Sequence, residues 1–320
     1  MDHVLELKNL NVTYINKERK VMAVRSASLT IDKGDALGLV GESGSGKTTL
    51  AMAVLRLLSQ AEVTGEAIFR GNNLLTMNNE QLNQIRWTGI AVVFQKAMNS
   101  LSAVHRIRTQ IEDIYRVHYP KATAEEIAER MKALLRLVNM PERVYGLYPH
   151  EMSGGMLQRI AIAIALLHNP QLLIFDEATT ALDVVTQGQI LHEMVELEKT
   201  MDMTRIMITH DMSVVAASCN RVAVMYAGEL VEIGPVREVI RTPLHPYTKG
   251  LMDAYPSLTG KITALKSIPG SLPDLSKPII GCPFAARCAR KIDKCYTEKP
   301  PMVAYDNGRQ AACWLAGGNA

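Results

Sequence analysis

The chain has no apolar run long enough to cross a bilayer. Its longest strictly apolar stretch, Ile160 to Leu167, falls far short of the ~20 residues a spanning helix needs. Charge of one sign is also scarce: the net charge is only +3 over 320 residues, so composition offers no argument for nucleic acid as a partner. The N-terminus, Met-Asp-His-Val-Leu-Glu, lacks a charged start followed by an apolar core, and no secretory signal is expected. Internal repeats and low-complexity segments are absent. Cysteine is nearly missing from the first 280 residues, where Cys219 stands alone, and no C-x-x-C pair occurs anywhere. What remains is ordinary for a soluble protein with a real core: 48% hydrophobic and 21% charged residues, enough for one large domain with an appendage or for two domains. A cytosolic chain is expected, unless a partner holds it at a membrane.

The most informative stretch is Gly41 to Thr49, which reads G-E-S-G-S-G-K-T-T and fits the phosphate-binding pattern G-x-x-x-x-G-K-[ST]. A triphosphate carries several charges that must be met without steric obstruction. Gly41, Gly44 and Gly46 let the backbone curl so that successive N–H groups, those of Ser43 and Ser45 included, point inward. Lys47 adds a point charge for the β- and γ-phosphates, and the Thr48 hydroxyl is a ligand for Mg²⁺. The apolar run Ala36–Val40 before the motif reads as a strand. Thr49–Leu55 after it reads as a helix whose N-terminus faces the phosphates.

Further residues of interest sit at the ends of apolar runs. Val4–Lys8 and Ala23–Leu29 alternate as strands, with a polar loop over residues 16–20 and Tyr14 between them. Tyr14 has two readings, a contact to a nucleotide base or a tyrosine at a strand end. Ile90–Phe94 is a buried strand closed by Gln95, a residue able to reach into a cleft. Residues 105–148 read as helical, with a capping box at Thr123 and Glu126 and an apolar stripe of Ile127, Met131, Leu134 and Val138 that suits core packing. Ser153-Gly154-Gly155 opens the helix that runs to Leu167 and forms an anion-seeking helix start. One phosphate loop already serves this chain's own nucleotide, so a second such start points to a second nucleotide on another subunit. Leu172–Phe175 is closed by Asp176 and Glu177; at the C-terminal end of a buried parallel strand, Asp176 suits Mg²⁺ and Glu177 suits a water attacking the γ-phosphate. Arg205–Thr209 is another buried strand, ending in His210. Val222–Tyr226 and Glu229–Glu232 read as two strands around a turn at Ala227-Gly228. Nine of the fourteen prolines lie beyond residue 240, which predicts a loop-rich appendage rather than more sheet.

In their order along residues 3 to 240, Gly41–Thr48, Gln95, Ser153–Gly155, Asp176-Glu177, Asp183 and His210 resemble the motif set of the ATP-binding cassette ATPases. The resemblance implies an α/β P-loop NTPase cassette with a RecA-like core, an antiparallel β subdomain and a helical signature subdomain at about residues 97–165. It makes Gly41–Thr48 with Thr49 the Walker A loop, Asp176 the Walker B aspartate, Glu177 the catalytic glutamate and Gln95 the Q-loop residue. It likewise makes His210 the switch histidine and Asp183 the D-loop aspartate. Thr48, Gln95 and Asp176 would hold Mg²⁺, and Tyr14 matches the aromatic residue that stacks on adenine. Ser153, Gly154 and Gly155 match the signature that contacts the γ-phosphate held by the opposite subunit. Two departures stand out: the signature reads M-S-G-G-M where L-S-G-G-Q is common, and Ala178 replaces a proline that often follows the glutamate. Neither removes a reacting group.

Tyr148–Met156, then Thr242-Pro243-Leu244-His245-Pro246-Tyr247-Thr248, and the cysteines after Gly281 further resemble dipeptide/oligopeptide importer ATPases. That implies a cassette over residues 1–240, a cysteine-containing extension over 241–320, and an ATP-driven importer of di- or oligopeptides. The same tail occurs in importers of nickel and glutathione, and an oligosaccharide importer is a further alternative. Implied partners are two membrane-spanning permease subunits, a second similar ATPase (a heterodimer) and, indirectly, an extracellular substrate-binding protein, with the chain peripheral on the cytoplasmic face. A soluble, non-transport cassette ATPase is the rival, but the coiled coils or zinc modules inserted in DNA-repair members, and the tandem cassettes of translation-associated members, are missing. For Cys282, Cys288, Cys295 and Cys313 the spacing C-x₅-C-x₆-C-x₁₇-C leaves zinc, an iron–sulfur cluster and simply packed thiols as readings. The importer resemblance favours a [4Fe–4S] cluster held for structure, with Zn²⁺ as the alternative.

Overall fold

The computed structural model describes residues 3–16, 19–95, 101–178, 184–201, 203–254 and 268–317. It divides into two compact units, Met1–Leu75 with Met207–Ala320, and Thr76–Ile206. Among the described residues no helix is long and apolar enough to cross a membrane.

The first unit opens with β1 (His3–Asn16) and β2 (Arg19–Asp32), an antiparallel ladder that continues to the Asn16–Arg19 pair, so residues 16, 19 and 20, expected in a loop, belong to strands. β3 (Ala36–Val40) is buried throughout and leads through the glycine-rich loop into α1 (Lys47–Val54). β4 (Ala61–Phe69) pairs antiparallel with β1, and β5 (Asn72–Asn73) pairs with β4. A bulge decides which face of β1 is buried. Asn9 takes φ 47, and β1 gains one residue against both neighbours between Leu7 and Leu10–Asn11. The buried set therefore changes parity, from Leu5 and Leu7 to Leu10 and Val12.

The second unit holds α2 (Asn79–Ile85), β6 (Ile90–Val93), α3 (Ile107–His118), α4 (Ala124–Leu137), α5 (Gly154–Ala165), β7 (Leu172–Asp176) and α6 (Val184–Met201). Thr123 and Glu126 form the expected capping box on α4, and Ile127, Met131, Leu134 and Val138 are buried together. β6 and β7 pair in parallel, with Val93 opposite Phe175. The chain returns to the first unit within β8 (Thr204–Thr209).

The returning segment comprises α7 (Met212–Ser218), β9 (Arg221–Tyr226), β10 (Glu229–Pro235), α8 (Val236–Arg241), α9 (Pro246–Asp253), α10 (Lys294–Thr297), β11 (Val303–Tyr305) and β12 (Arg309–Ala311). β9 runs parallel to β3, and a two-residue turn at Ala227-Gly228, both with positive φ, joins it to β10. The tail is not free of sheet, contrary to its proline content: β12 pairs with β10 and β11 with β12. Three-residue strands carry too little alternation to be read from a sequence. Nor does the tail stand apart from the core, since Tyr247, Phe284 and Cys288 are buried in one cluster with Val40, Val222 and Val224.

Glu232 fastens this segment. Fully buried on β10, its carboxylate accepts from the N–H groups of Leu244 and His245, each at 2.9 Å, and pairs with Arg309 Nη2 at 3.3 Å. Replacing Glu232 by alanine strands a buried guanidinium and two backbone donors. The expected loss is about 3–5 kcal/mol in denaturant unfolding, with Glu232→Gln falling between it and the parent.

Candidate functional site

The phosphate loop lies in the first unit, where strand register fixes its start. Val40 pairs with Val224, which sets Gly41 beside Met225. The approach is so close that a Cβ on Gly41 would stand 2.1 Å from the Met225 carbonyl oxygen. At the other end Gly46 caps α1 with φ 102, and a Cβ there would meet the Ala23 carbonyl at 2.3 Å. Between them Ser45 is buried, and its carbonyl accepts from Gly228 N–H at 2.9 Å. Lys47 is buried too, its ammonium donating to the carbonyls of Gly41 (2.8 Å) and Glu42 (3.0 Å), with Ser45 Oγ at 3.5 Å. Ser43, Gly44 and Thr48 are exposed. Tyr14 Oη lies 3.3 Å from Thr49 Oγ1, which ties the tyrosine to the first turn of α1. His210 follows β8 and is exposed. A loop of this shape, with left-handed glycines, a helix start and a seated lysine, is built to receive a phosphate chain.

The second unit brings together the carboxylate pair and the glutamine. Because Val93 is opposite Phe175, two further residues along the parallel strands place Gln95 beside Glu177, and Gln95 Nε2 donates to Glu177 Oε2 at 2.9 Å. Asp176 is buried at the strand end, while Glu177 is half-buried with φ 48, a left-handed backbone that a glutamate adopts at a cost of about 1–3 kcal/mol. Such strain persists where the position of a side chain matters. Ser153 caps α5, its hydroxyl accepting from Met156 N–H at 3.4 Å, and a Cβ on Gly155 would meet Thr186 Cγ2 at 3.0 Å. Asp183 lies outside the described residues.

The four tail cysteines line one small cavity of about 10 Å³ in the first unit, together with Phe284, Ala285, Trp314 and His245. Cys282 N–H donates to Cys295 O at 2.8 Å, closing the turn that carries them. Burial pushes the Cys282 thiol up to about 12 and raises those of Cys288 and Cys313. Among the described residues, no three His, Cys, Asp or Glu side chains form a group able to hold a single metal ion. His245 was not foreseen here. It caps α9, its Nδ1 accepting from Tyr247 N–H at 3.0 Å, and burial lowers its pKa to about 3, so the ring stays neutral as that bond requires.

The ABC transporter family profile matches residues 24–180, and the profile of the oligopeptide/dipeptide transporter C-terminal region matches residues 231–295. An oligopeptide transport ATP-binding protein of Haemophilus influenzae is 44% identical over 99% of this chain and 98% of its own. A dipeptide transport ATP-binding protein of Lactococcus lactis is 41% identical over 98% and 91%. The chain belongs to the ATP-binding cassette ATPases of the oligopeptide/dipeptide transporter group. Solved cassettes share its fold. One, a dimer in a post-hydrolysis state bound to ADP and Pi, aligns with a TM-score of 0.66 at 29% identity over 73% of this chain and 99% of that one. Another, part of an ABC transporter complex of Clostridium perfringens, aligns at 0.65 with 26% identity over 76% and 92%.

Gly46 in this cassette's phosphate loop and Gly188 on α6 should respond differently to the same substitution. Gly46→Ala combines a left-handed φ with a backbone collision and should cost about 2 kcal/mol or more in urea unfolding. Gly188→Ala, on an exposed face of α6 with nothing within 4 Å, should be neutral or stabilising by up to about 1 kcal/mol.

Proposed function

We propose that this ATPase powers the import of di- or oligopeptides, bound at the cytoplasmic face of the membrane beneath two membrane-spanning permease subunits. A second, similar ATPase subunit completes the pair, and an extracellular binding protein delivers the substrate to the permeases. The observation that carries this reading is that similarity to the transport ATPases does not stop with the cassette but continues through the tail, residues 231–295. Relatives named for oligopeptide and dipeptide transport match over the whole chain.

The residues divide the work by their chemistry. Backbone N–H groups from Gly41 to Thr48, with Thr49, cradle the phosphates, and the glycine positions where a Cβ cannot fit support that use. Lys47 balances charge on the β- and γ-phosphates, and Tyr14 stacks on the adenine. Mg²⁺, when bound, would neutralise charge on the phosphate oxygens, and the cassette resemblance assigns Thr48, Asp176 and Gln95 to hold it. Glu177 takes a proton from the attacking water at a carboxylate oxygen, and Gln95, already hydrogen-bonded to it, keeps that carboxylate oriented. His210 holds the γ-phosphate side of the reaction. Ser153, Gly154, Gly155 and Asp183 serve the nucleotide bound by the partner ATPase. Glu177→Gln should retain ATP binding while phosphate release slows by about a hundredfold or more. Near-parent turnover in that variant would remove Glu177 from the role.

In the same proposal the four tail cysteines hold a [4Fe–4S] cluster that staples the tail, with Zn²⁺ as the alternative. What supports this reading is that four thiols line one apolar-walled space with no carboxylate among its described lining residues, which is a soft-ligand setting. Protein purified without oxygen should be brown and contain iron and sulfide in equal amounts, and Cys288→Ser should lose both while the cassette still binds ATP. Colourless anaerobic protein with one zinc per chain would decide against the cluster.

A further inference from the structure

The phosphate loop and the tail lie in the same unit, and they meet at Glu42. This is the second residue of G-E-S-G-S-G-K-T-T, one of the unspecified positions of the phosphate-loop pattern, so phosphate binding itself does not call for a carboxylate there. Its N–H donates to Tyr247 Oη at 2.9 Å, and Tyr247 is fully buried. Its Oε2 accepts from Arg287 Nη1, also at 2.9 Å.

Arg287 is itself held from several sides. Nε donates to Pro269 O at 2.7 Å, Nη2 to Ile268 O at 3.2 Å, and Nη1 also to Tyr226 Oη at 3.2 Å. The guanidinium carbon lies 5.7 Å from the Tyr226 ring centre and 5.9 Å from that of Phe284. With its side chain 7% exposed, Arg287 presents a fixed charge to the loop rather than a mobile surface one. Glu42 passes this restraint on, because its carbonyl and that of Gly41 are the acceptors that seat the Lys47 ammonium.

We propose that Arg287 is a positioning residue for the phosphate loop: together with Tyr247 it fixes Glu42, and through Glu42 the carbonyls that hold Lys47. The tail thereby acts as a brace for nucleotide binding. The proposal rests on the ATPase reading above.

The test measures the dissociation constant of Mg-ATP for the full-length chain by calorimetry, in the parent and in Glu42→Ala, Arg287→Ala, Arg287→Lys and the double alanine variant. Glu42→Ala leaves every tail-side contact of Arg287 in place, so it and Arg287→Lys carry the test if Arg287→Ala does not fold. Each single alanine substitution is expected to raise the constant about tenfold. The double variant should match the singles within about twofold, because both remove the same link. Arg287→Lys, which keeps a cation within reach of Glu42, should recover part of the loss. Binding within about twofold of the parent in folded Glu42→Ala overturns the brace and leaves the ATPase reading standing, and so does a double variant in which the two effects multiply. A parent that does not bind Mg-ATP overturns both.

Discussion

A contact that leaves no room for a side chain governs this fold. Gly41 lies against the Met225 carbonyl because β3 and β9 pair in parallel with Val40 opposite Val224. The turn at Ala227-Gly228 then brings Gly228 N–H onto the Ser45 carbonyl and Gly228 O onto Arg25 N–H at 2.8 Å. Backbone groups, not side chains, thus set the curvature of the loop on both sides. Side chains enter afterwards: Lys47 crosses the loop, and Glu42 faces out to the tail. A surface made of main-chain atoms suits a ligand whose recognisable feature is a row of charged oxygens.

The elements that could be read from the sequence are those whose signal is local. An apolar run closed by polar residues placed β7 with Asp176 and Glu177 at its end, and a capping box placed the start of α4. The bond between Gln95 and Glu177 could not be read in this way, since it depends on the register of two strands about eighty residues apart, a pairing that no local pattern encodes. The bulge at Asn9 was hidden for another reason: the residue is unremarkable by composition, and only the change of parity among Leu5, Leu7, Leu10 and Val12 betrays it. The tail was the least legible part. Its prolines signalled loops correctly in many places, but β11 and β12 are too short to show a period, and Arg287 looked like one arginine among many.

Two glutamate contacts of the tail work in the same direction. Glu232 accepts from Leu244, His245 and Arg309, while Glu42 accepts from Arg287 and donates its own N–H to Tyr247 Oη. In each case a carboxylate residue of the cassette meets donors supplied by residues beyond 240. A segment with little regular structure is held to a well-formed core by a few charge-assisted bonds whose loss would leave charges buried and unpaired. The shared aromatic cluster of Tyr226, Tyr247 and Phe284 adds apolar area where those bonds sit.

The division of the chain into Met1–Leu75 with Met207–Ala320 has a consequence for synthesis. A ribosome emits the phosphate loop within the first fifty residues, yet the carbonyl that bounds it belongs to Met225 and the charge that anchors it to Arg287. Nascent protein therefore carries the whole second unit, residues 76–206, before the loop's own walls exist. That unit is free to collapse first, as contiguous segments do during translation. The first unit must instead wait for its far end and close a large loop in the chain. The nucleotide site is thus among the last parts of the protein to mature, although its motif is among the first to be made.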